Sequence, residues 1–287
     1  MPAYNSAGSI LASIDSILHQ TFTDLELIVV DNASTDDTVS VCQEVAKRDP
    51  RVRVVRNPVN VGVNPNYRRA AELARGEYFK WQSSNDLLDP DYLASCIRVL
   101  DARADVVLAF GTTVIFQNDP AAGAAYDDRM NLEDEDPLVR FRRTVDLLRL
   151  NNAINGVMRR EALMRTSVHP DYLSSDNIVL SELALAGKIA LVPDTRFFRR
   201  MDKASATALQ SATTVRLAHF PKRSFNQLFQ SWRFTWGYVR AVRCSPLPLS
   251  QRMRGMQFVM RQAYWSSPRL FADLKEAFRY YTARGRQ

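Results

Sequence analysis

The sequence predicts an α/β protein with a mostly parallel sheet flanked by helices and a helical extension at its C-terminus. Strand-like and helix-like stretches alternate along the first half of the 287 residues, which indicates βαβ units. The run Leu25–Asp31 is continuously apolar and rich in β-branched residues, as in a strand buried on both faces. The chain becomes basic and aromatic after about residue 215. In parallel sheets of this kind, ligands bind beyond the carboxyl ends of the strands.

Each predicted element has a local signal. Ile10, Ile14 and Ile17 recur at helical spacing, and Gly76 ends a later helix. The acidic, turn-rich stretch 117–136 has no periodicity and predicts a mobile surface loop. The predicted strands cover residues 25–31, 52–55, 77–81, 105–116 (one strand or a pair), 154–158, 189–193 and 196–201. The predicted helices cover residues 10–18, a stretch capped at 34–35, 66–74, 90–100, 137–150 and 174–187, with helical character again from 219.

Charge divides the chain into two parts. The net charge of +7 combines residues 215–287, which carry 14 Lys and Arg against 2 Asp and Glu, with residues 1–214, whose net charge is −5. We therefore expect an α/β domain over 1–214 and a basic, aromatic helical extension over 215–287.

The chain lacks the sequence signatures of several protein classes. The three cysteines and three histidines are isolated and form no CxxC, HExxH or comparable zinc spacing. No GxGxxG follows a strand, which argues against a dinucleotide-dependent oxidoreductase. No signal peptide or membrane-spanning apolar run is evident, so we expect a cytoplasmic protein, either free or at the inner face of the plasma membrane.

Five motifs in order resemble family 2 glycosyltransferases with the GT-A fold, a Rossmann-like α/β architecture. The family's PxYN turn, first helix and D-[DN]-x-S-x-D-x-T loop are similar to PAYNSAGSILASIDSILHQTFTDLELIVVDNASTDDT. Its next two segments resemble NVGVNPNYRRAAELARGEYFKW and WQSSNDLLDPDYL, the second of which aligns with a loop that usually contains D-x-D. Its acidic catalytic segment and R-R-x-H-x-x-S segment resemble SSDNIVLSELALAG and FFRRMDKASA. The resemblance covers roughly residues 2–206.

The resemblance implies an inverting transferase that moves a sugar from a UDP-sugar, or a GDP- or dTDP-sugar, to a glycan or lipid-linked acceptor in cell-envelope or surface polysaccharide assembly. It implies that Asp31 accepts a hydrogen bond from the nucleotide base and that Asp176 is the general base. Asp176 also stands at a predicted helix start, and an N-cap carboxylate has a lowered pKa and is a poorer base. The other implied nucleotide-sugar-binding residues are Pro2, Ala3, Tyr4, Asn5, Asn60, Gly62, Asn66, Ser84 and Asn85.

The chain departs from the family pattern at three places. It starts at MPAYN, where the family has an apolar strand before the proline, so we expect a truncated first strand and a true start upstream. Ser83 and Asn85 stand where carboxylates are common, and Asp86 remains. Asp202 stands where a histidine often helps to hold the metal. We expect Asp86 and Asp202, with Asn85 assisting, to bind one Mn²⁺ or Mg²⁺; an equal alternative pairs Asp202 with a neighbouring arginine.

Three alternatives stay open. Arg68 and Arg69 either reach phosphates or form a solvated helix face. Residues 215–287 either rest on an anionic membrane as a peripheral contact or pack their apolar side chains on the α/β domain; no recognised nucleic-acid-binding module is present. The rival to an active transferase is a catalytically weakened homologue that binds a nucleotide-sugar or a protein partner without turnover, which Ser83, Asn85 and the short start favour.

Overall fold

The computed structural model describes the backbone of residues 1–201 and 228–284 and the side chains of residues 1–201 and 228–278. The first half of the chain builds a three-stranded parallel sheet in the order β1-β2-β3. Its strands are β1 (Pro2–Ala3), β2 (Leu27–Asp31) and β3 (Val52–Arg56). All five residues of β2 are buried, as its continuous apolar pattern predicts.

A second sheet of six strands follows the order β4-β8-β6-β9-β5, with β7 paired to β6. Its strands are β4 (Tyr78–Phe79), β5 (Leu87–Leu88), β6 (Val106–Phe116), β7 (Ala124–Tyr126), β8 (Val157–Arg159) and β9 (Lys188–Arg200). Only β6 and β9 pair in parallel; the other pairs are antiparallel. The predicted mostly parallel pairing therefore holds for the first sheet alone. The connection from β6 to β7 is short, and short connections favour antiparallel neighbours.

Helices cover both sheets and make up the C-terminal region. They are α1 (Ile10–Leu18), α2 (Thr38–Ala46), α3 (Val63–Leu73), α4 (Tyr92–Ala102), α5 (Pro137–Leu147), α6 (Arg160–Met164), α7 (Asp176–Ala186), α8 (Gln230–Cys244), α9 (Leu249–Trp265) and α10 (Ser267–Arg284). One apolar cluster joins β1 and β2 to β6 and β9 through α1 and α4, so the two sheets share a core. No helix within 1–201 or 228–284 is long and apolar enough to cross a membrane.

Two predicted stretches differ in the structure. The predicted mobile loop 117–136 contains a 3₁₀ turn (Pro120–Ala122) and β7, and it is anchored by fully buried Met130 and Leu132. The predicted separate strands at 189–193 and 196–201 are one strand, β9, because a bulge shifts the register without ending the pairing with β6.

The C-terminal helices α8 and α9 pack on α5 and α7. Their shared apolar cluster includes Phe141 of α5, Leu185 of α7 and Phe258 of α9. Gly237 of α8 approaches α7 so closely that a Cβ there would lie 2.9 Å from the side chain of Ile178. This contact supports the helix that begins at Asp176.

Candidate active site

The first candidate residue, Asp31, ends β2 at the carboxyl edge of the parallel sheet. Its side chain is fully buried and accepts a hydrogen bond from the Ser34 backbone N–H, 3.1 Å from Oδ2. The Arg56 guanidinium lies 3.4 Å from the same oxygen. An aspartate that bonds to the loop after it is a common turn feature, so this loop fixes the carboxylate as an acceptor at the sheet edge.

The predicted Pro2–Asn5 turn lies against the loop that follows Asp31. The Asn5 N–H donates to Ser34 Oγ over 2.9 Å, and Asn5 Oδ1 accepts from the Thr35 N–H over 2.9 Å. Asn5 has a φ of 48°, which asparagine tolerates better than most residues. Tyr4, the third residue of the turn, is exposed.

Ser84, from the second candidate loop, closes the same edge. Its hydroxyl lies 2.7 Å from the Ser6 hydroxyl, and its carbonyl accepts from Ser9 Oγ over 3.0 Å. The structure therefore brings together three segments that are remote in sequence: the Pro2–Asn5 turn, the loop after Asp31 and the loop at Ser84.

Asn60, Gly62 and Asn66 belong to a buried amide network beside this edge. The Asn66 side chain donates to the Val30 carbonyl over 3.0 Å and accepts from the Asn57 amide over 2.9 Å, so both of its polar atoms bind protein. Asn60 Oδ1 accepts from the Gly62 N–H, and Gly62 has a φ of 93° that favours glycine. In this geometry the three residues shape the loop before α3.

Arg68 and Arg69 also bind protein. Arg68 donates to the carbonyls of Val168 and His169, and Arg69 donates to Asn57 Oδ1. The solvated-face alternative is therefore wrong for both guanidinium groups, which hold the loop before α7 and the amide network.

A buried lysine, Lys80, holds the loop Gln82–Asp86 in place through hydrogen bonds. Lys80 Nζ donates to Gln82 Oε1 over 2.9 Å, and the Gln82 amide donates to the Asp86 carbonyl over 2.7 Å. Burial lowers the pKa of the Lys80 ammonium to about 7, and the charge of Asp86 opposes that shift. The loop is thus fixed in place although Ser83 and Asn85 replace the usual carboxylates.

Asp86 itself is a buried carboxylate. Its Oδ1 accepts from the Arg200 backbone N–H over 2.9 Å. Burial raises the pKa of the Asp86 carboxyl, and the Arg200 N–H, the Arg199 charge and the Ser83 hydroxyl oppose the rise. A buried carboxylate whose charge is incompletely compensated is a favourable place for a further cation.

Asp176, the predicted base, is the first residue of α7. Ser175 occupies the N-cap position and makes no side-chain cap bond, so Asp176 is not the capping carboxylate. Burial raises the pKa of the Asp176 carboxyl, and hydrogen bonds from Asn151 and from the Asn177 backbone oppose the rise. The N-cap alternative is wrong because Ser175, not Asp176, occupies that position. Asp176 as a whole residue is half-buried.

Tyr67 and Arg199 interact electrostatically with both carboxylates. Burial raises the pKa of the Tyr67 phenol, and the charges of Asp86 and Asp176 raise it further. The Arg199 charge opposes the rise in pKa at both carboxyl groups. The structure thus joins the WQSSND loop and the start of α7 into one site around a tyrosine and an arginine.

Asp128 is a further buried carboxylate, and the sequence predicted it to lie in a surface loop. Its two oxygens accept from Thr113 Oγ1 and the Asn152 amide, each over 2.6 Å, and Asn152 Oδ1 accepts from Arg199. Burial raises the pKa of Asp128 to about 6. The available signal was the apolar pair at positions 130 and 132, which anchors this acidic stretch in the interior.

The residues fit a divalent cation that arrives with a diphosphate. Among the residues that the structure describes, no group of three His, Cys, Asp or Glu could hold a metal ion alone. Asp86 supplies one carboxylate, and Mg²⁺ usually needs only one or two besides substrate phosphates. The predicted partner ligand, Asp202, lies outside the described residues.

A cavity of about 1040 Å³ opens beside Asp128. Polar side chains dominate the part of its wall formed by the segment after β7, and Arg143 of α5 closes another part. The side chains from that segment include Asp127, Arg129, Asn131 and Glu133. Such a wall suits a ligand with many hydroxyl groups.

Solved structures establish the fold class around this site. The chain matches Staphylococcus aureus TarS (residues 1–349, solved with UDP-GlcNAc) with a TM-score of 0.65 and 14% identity, covering 96% of this chain and 78% of that chain. It matches the mannosyltransferase PcManGT from Pyrobaculum calidifontis, solved with GDP-Man and Mn²⁺, with a TM-score of 0.56 and 19% identity, covering 96% and 73%. At this identity the likeness shows the fold alone, which is the predicted GT-A glycosyltransferase fold.

The family model for glycosyl transferase family 2 matches residues 1–169, and the chain belongs to that family. It is 38% identical over 109 residues to the chondroitin synthase of Escherichia coli, a match that covers 38% of this chain and 16% of that protein. The matched segment therefore spans about a sixth of the length of this relative.

Proposed function

We propose that the chain is an inverting glycosyltransferase. It would transfer a sugar from a UDP-sugar, or a GDP- or dTDP-sugar, to a hydroxyl of a glycan or lipid-linked acceptor in cell-envelope or surface polysaccharide assembly. One observation carries the proposal: Asp176, whose carboxyl pKa is raised by burial, begins α7, and the buried Asp86 carboxylate is held by the Arg200 backbone N–H at the end of the WQSSND loop. The chondroitin synthase relative and the UDP-GlcNAc and GDP-Man complexes support the donor and product classes.

In this mechanism Asp176 takes the proton from the acceptor hydroxyl. The hydroxyl oxygen forms a bond to the anomeric carbon while the bond from that carbon to the diphosphate oxygen breaks on the opposite face, which inverts the configuration. A base is more effective when its pKa approaches the working pH, and burial moves the pKa of Asp176 in that direction. The Arg199 charge opposes that rise in pKa and favours the ionised carboxylate.

The nucleotide would lie along the sheet edge formed by the Pro2–Asn5 turn, Asp31 and Ser84. Asp31 accepts from the base of the nucleotide, and the loop ending at Asp86 lies under the diphosphate. Asp86, with Asn85 assisting, would hold Mn²⁺ or Mg²⁺, which offsets the negative charge that develops on the leaving diphosphate. The charges of Asp86 and Asp176 both raise the pKa of the Tyr67 phenol, which supports a shared site for donor and base.

The acceptor would enter through the cavity beside Asp128. Its Asp127, Arg129 and Asn131 side chains can exchange hydrogen bonds with sugar hydroxyls. Asp128 shares Asn152 with Arg199, so a chain of hydrogen bonds joins the cavity wall to Arg199.

A nucleotide-sugar screen tests the proposal. We expect one of UDP-, GDP- or dTDP-sugars to raise the melting temperature in the presence of Mn²⁺ and to release nucleoside diphosphate when an acceptor glycan is added. NMR of the product should show the anomeric configuration opposite to that of the donor. Retention of configuration would contradict the inverting mechanism.

The same screen separates the rival function. A weakened homologue would gain thermal stability from a nucleotide-sugar without turnover against any acceptor or water. Stabilisation without release of nucleoside diphosphate, across all donors and with Mn²⁺ and Mg²⁺ tested separately, would therefore favour a binding protein over an enzyme.

A further inference from the structure

The outward side of the C-terminal helices is unusually apolar. Ten of the sixteen exposed large hydrophobic side chains in the described part of the chain lie on α8, α9 and α10, although these helices supply a minority of the residues. They are Trp232, Trp236, Leu249, Met253, Met260, Tyr264, Trp265, Phe271, Leu274 and Phe278. We call this set the C-terminal apolar surface. Contiguous apolar exposure on this scale marks an interaction site.

Four of the five exposed large hydrophobic residues of α9 form one stripe, and the fifth, Trp265, ends the helix about 100° further round. Leu249, Met253, Met260 and Tyr264 are spaced by four, seven and four residues, which places them within an arc of about 60° at 100° per residue. Other side chains of α9, including Phe258, are buried against α5. The helix thus has two apolar sides, of which one packs in the protein and the other faces outward.

The exposed apolar side chains of α8 lie next to those of α10. The Trp232 indole N–H donates to the Leu270 carbonyl over 3.0 Å, so the exposed face of α8 meets the start of α10. Phe271, Leu274 and Phe278 then continue along α10 at intervals of three and four residues. The aromatic side chains of both helices therefore belong to one surface.

The charge around this surface selects the partner. Residues 228–278 contain eight Lys and Arg against two Asp and Glu, a net charge of +6. Arg254 and Arg261 are exposed on α9, and the Arg261 guanidinium lies 5.0 Å from the centre of the Trp265 ring. A second copy would bring like charges together, whereas an anionic bilayer complements both the charge and the apolar stripe.

We propose that the C-terminal apolar surface binds an anionic lipid bilayer, with its Trp, Phe and Leu side chains at the acyl boundary and its arginines at the headgroups. Interfacial helices of this kind lie in the plane of the membrane, which agrees with the lack of a spanning helix among the described residues. The surface thus anchors the chain peripherally, whichever sugar it transfers.

Tryptophan fluorescence tests this directly. Three of the four tryptophans, Trp232, Trp236 and Trp265, lie on the surface, and the fourth, Trp81, is fully buried. With the full chain, vesicles of phosphatidylcholine and phosphatidylglycerol that carry brominated acyl chains should quench most of the accessible fluorescence. Vesicles of brominated phosphatidylcholine alone should quench little. Equal quenching by both, or none by either, would overturn the proposal.

Cosedimentation with variants localises the contact. Trp236→Ser combined with Tyr264→Ser should reduce vesicle-bound protein at least tenfold, while Val59→Ser, at a residue of the α/β domain with equal 62% exposure to Trp236, should leave it unchanged. Arg254→Gln and Arg261→Gln should each weaken binding roughly fivefold, and added salt should do the same.

Two outcomes would assign the surface otherwise. Self-association in light scattering that the double variant abolishes, without vesicle binding, would make it an interface between copies. Equal loss in the Val59→Ser control would show that binding is non-specific. Circular dichroism of each variant establishes that the fold is retained.

Discussion

Replacing Asp176 by asparagine keeps the size of the side chain and removes its ability to accept a proton. Loss of a positioned general base costs about 10²–10⁴ in rate. At 1.36 kcal/mol for each factor of ten, this is about 3–5.5 kcal/mol of activation free energy. The wild-type kcat/KM should rise with pH as Asp176 loses its proton, because only the carboxylate can act as base. Burial raises the pKa of this group, so the rise should be centred above the value of an ordinary aspartate.

The measurement is the initial rate of nucleoside diphosphate release with acceptor, followed over a range of pH. Asp176→Asn should lose the acidic limb of the profile as well as the rate, while its thermal stabilisation by nucleotide-sugar stays unchanged. Asp24→Asn, at an exposed surface carboxylate, is the matched control and should behave as wild type. A near-wild-type rate in Asp176→Asn, or an acidic limb that persists in it, would refute the assignment.

Three further variants test the metal, the packing and the ion pair. EDTA or Asp86→Asn should each lower the rate about 10–100-fold, and unchanged rates in both would exclude a metal held at Asp86. Gly237→Ala should lower the melting temperature, because overpacking destabilises the fold by about 1–3 kcal/mol whereas the better helix propensity of alanine stabilises it by about 1 kcal/mol. The control is Gly8→Ala, whose Cβ would meet no atom within 4 Å and which should leave the melting temperature unchanged. Arg240→Met removes a 2.8 Å ion pair with buried Glu182 and should cost about 1–2 kcal/mol in urea unfolding; an unchanged midpoint would contradict this.

The sequence predicted the parts of the site that follow from strand ends. Asp31 terminates an apolar strand, and parallel strands place their carboxyl ends at one sheet edge. The apolar pattern of the sequence therefore predicted the position of Asp31. The family motifs added the WQSSND loop and Asp176. In the structure Tyr67 hydrogen-bonds Ser83 of that loop and responds to the charge of Asp176, a relation that no local pattern encodes.

The rest of the site depends on long-range contacts. Asp128 looked like one more acid in a surface loop because acidic, turn-rich stretches are usually solvated. Its burial depends on Met130 and Leu132, and its role depends on an amide from Asn152 and a guanidinium from β9. The direction of the pKa shift at Asp176 could not be predicted from the sequence either, since it depends on burial by segments remote in sequence.

The C-terminal helices connect the proposed membrane surface to the proposed base. Glu182 of α7 accepts from Arg240 of α8 on one oxygen and from the Ser167 N–H on the other, so a single carboxylate joins α8 to the loop before Asp176. Gly237 packs on Ile178 of α7, and Trp236, which directly precedes it, is exposed on the outward side. Because α8 contacts the protein with one face and exposes the other, a bilayer bound there would lie at a fixed orientation to the start of α7. A lipid-linked acceptor would then approach the base from a defined side, which is a reason for the apolar surface and Asp176 to be joined by one pair of packed helices.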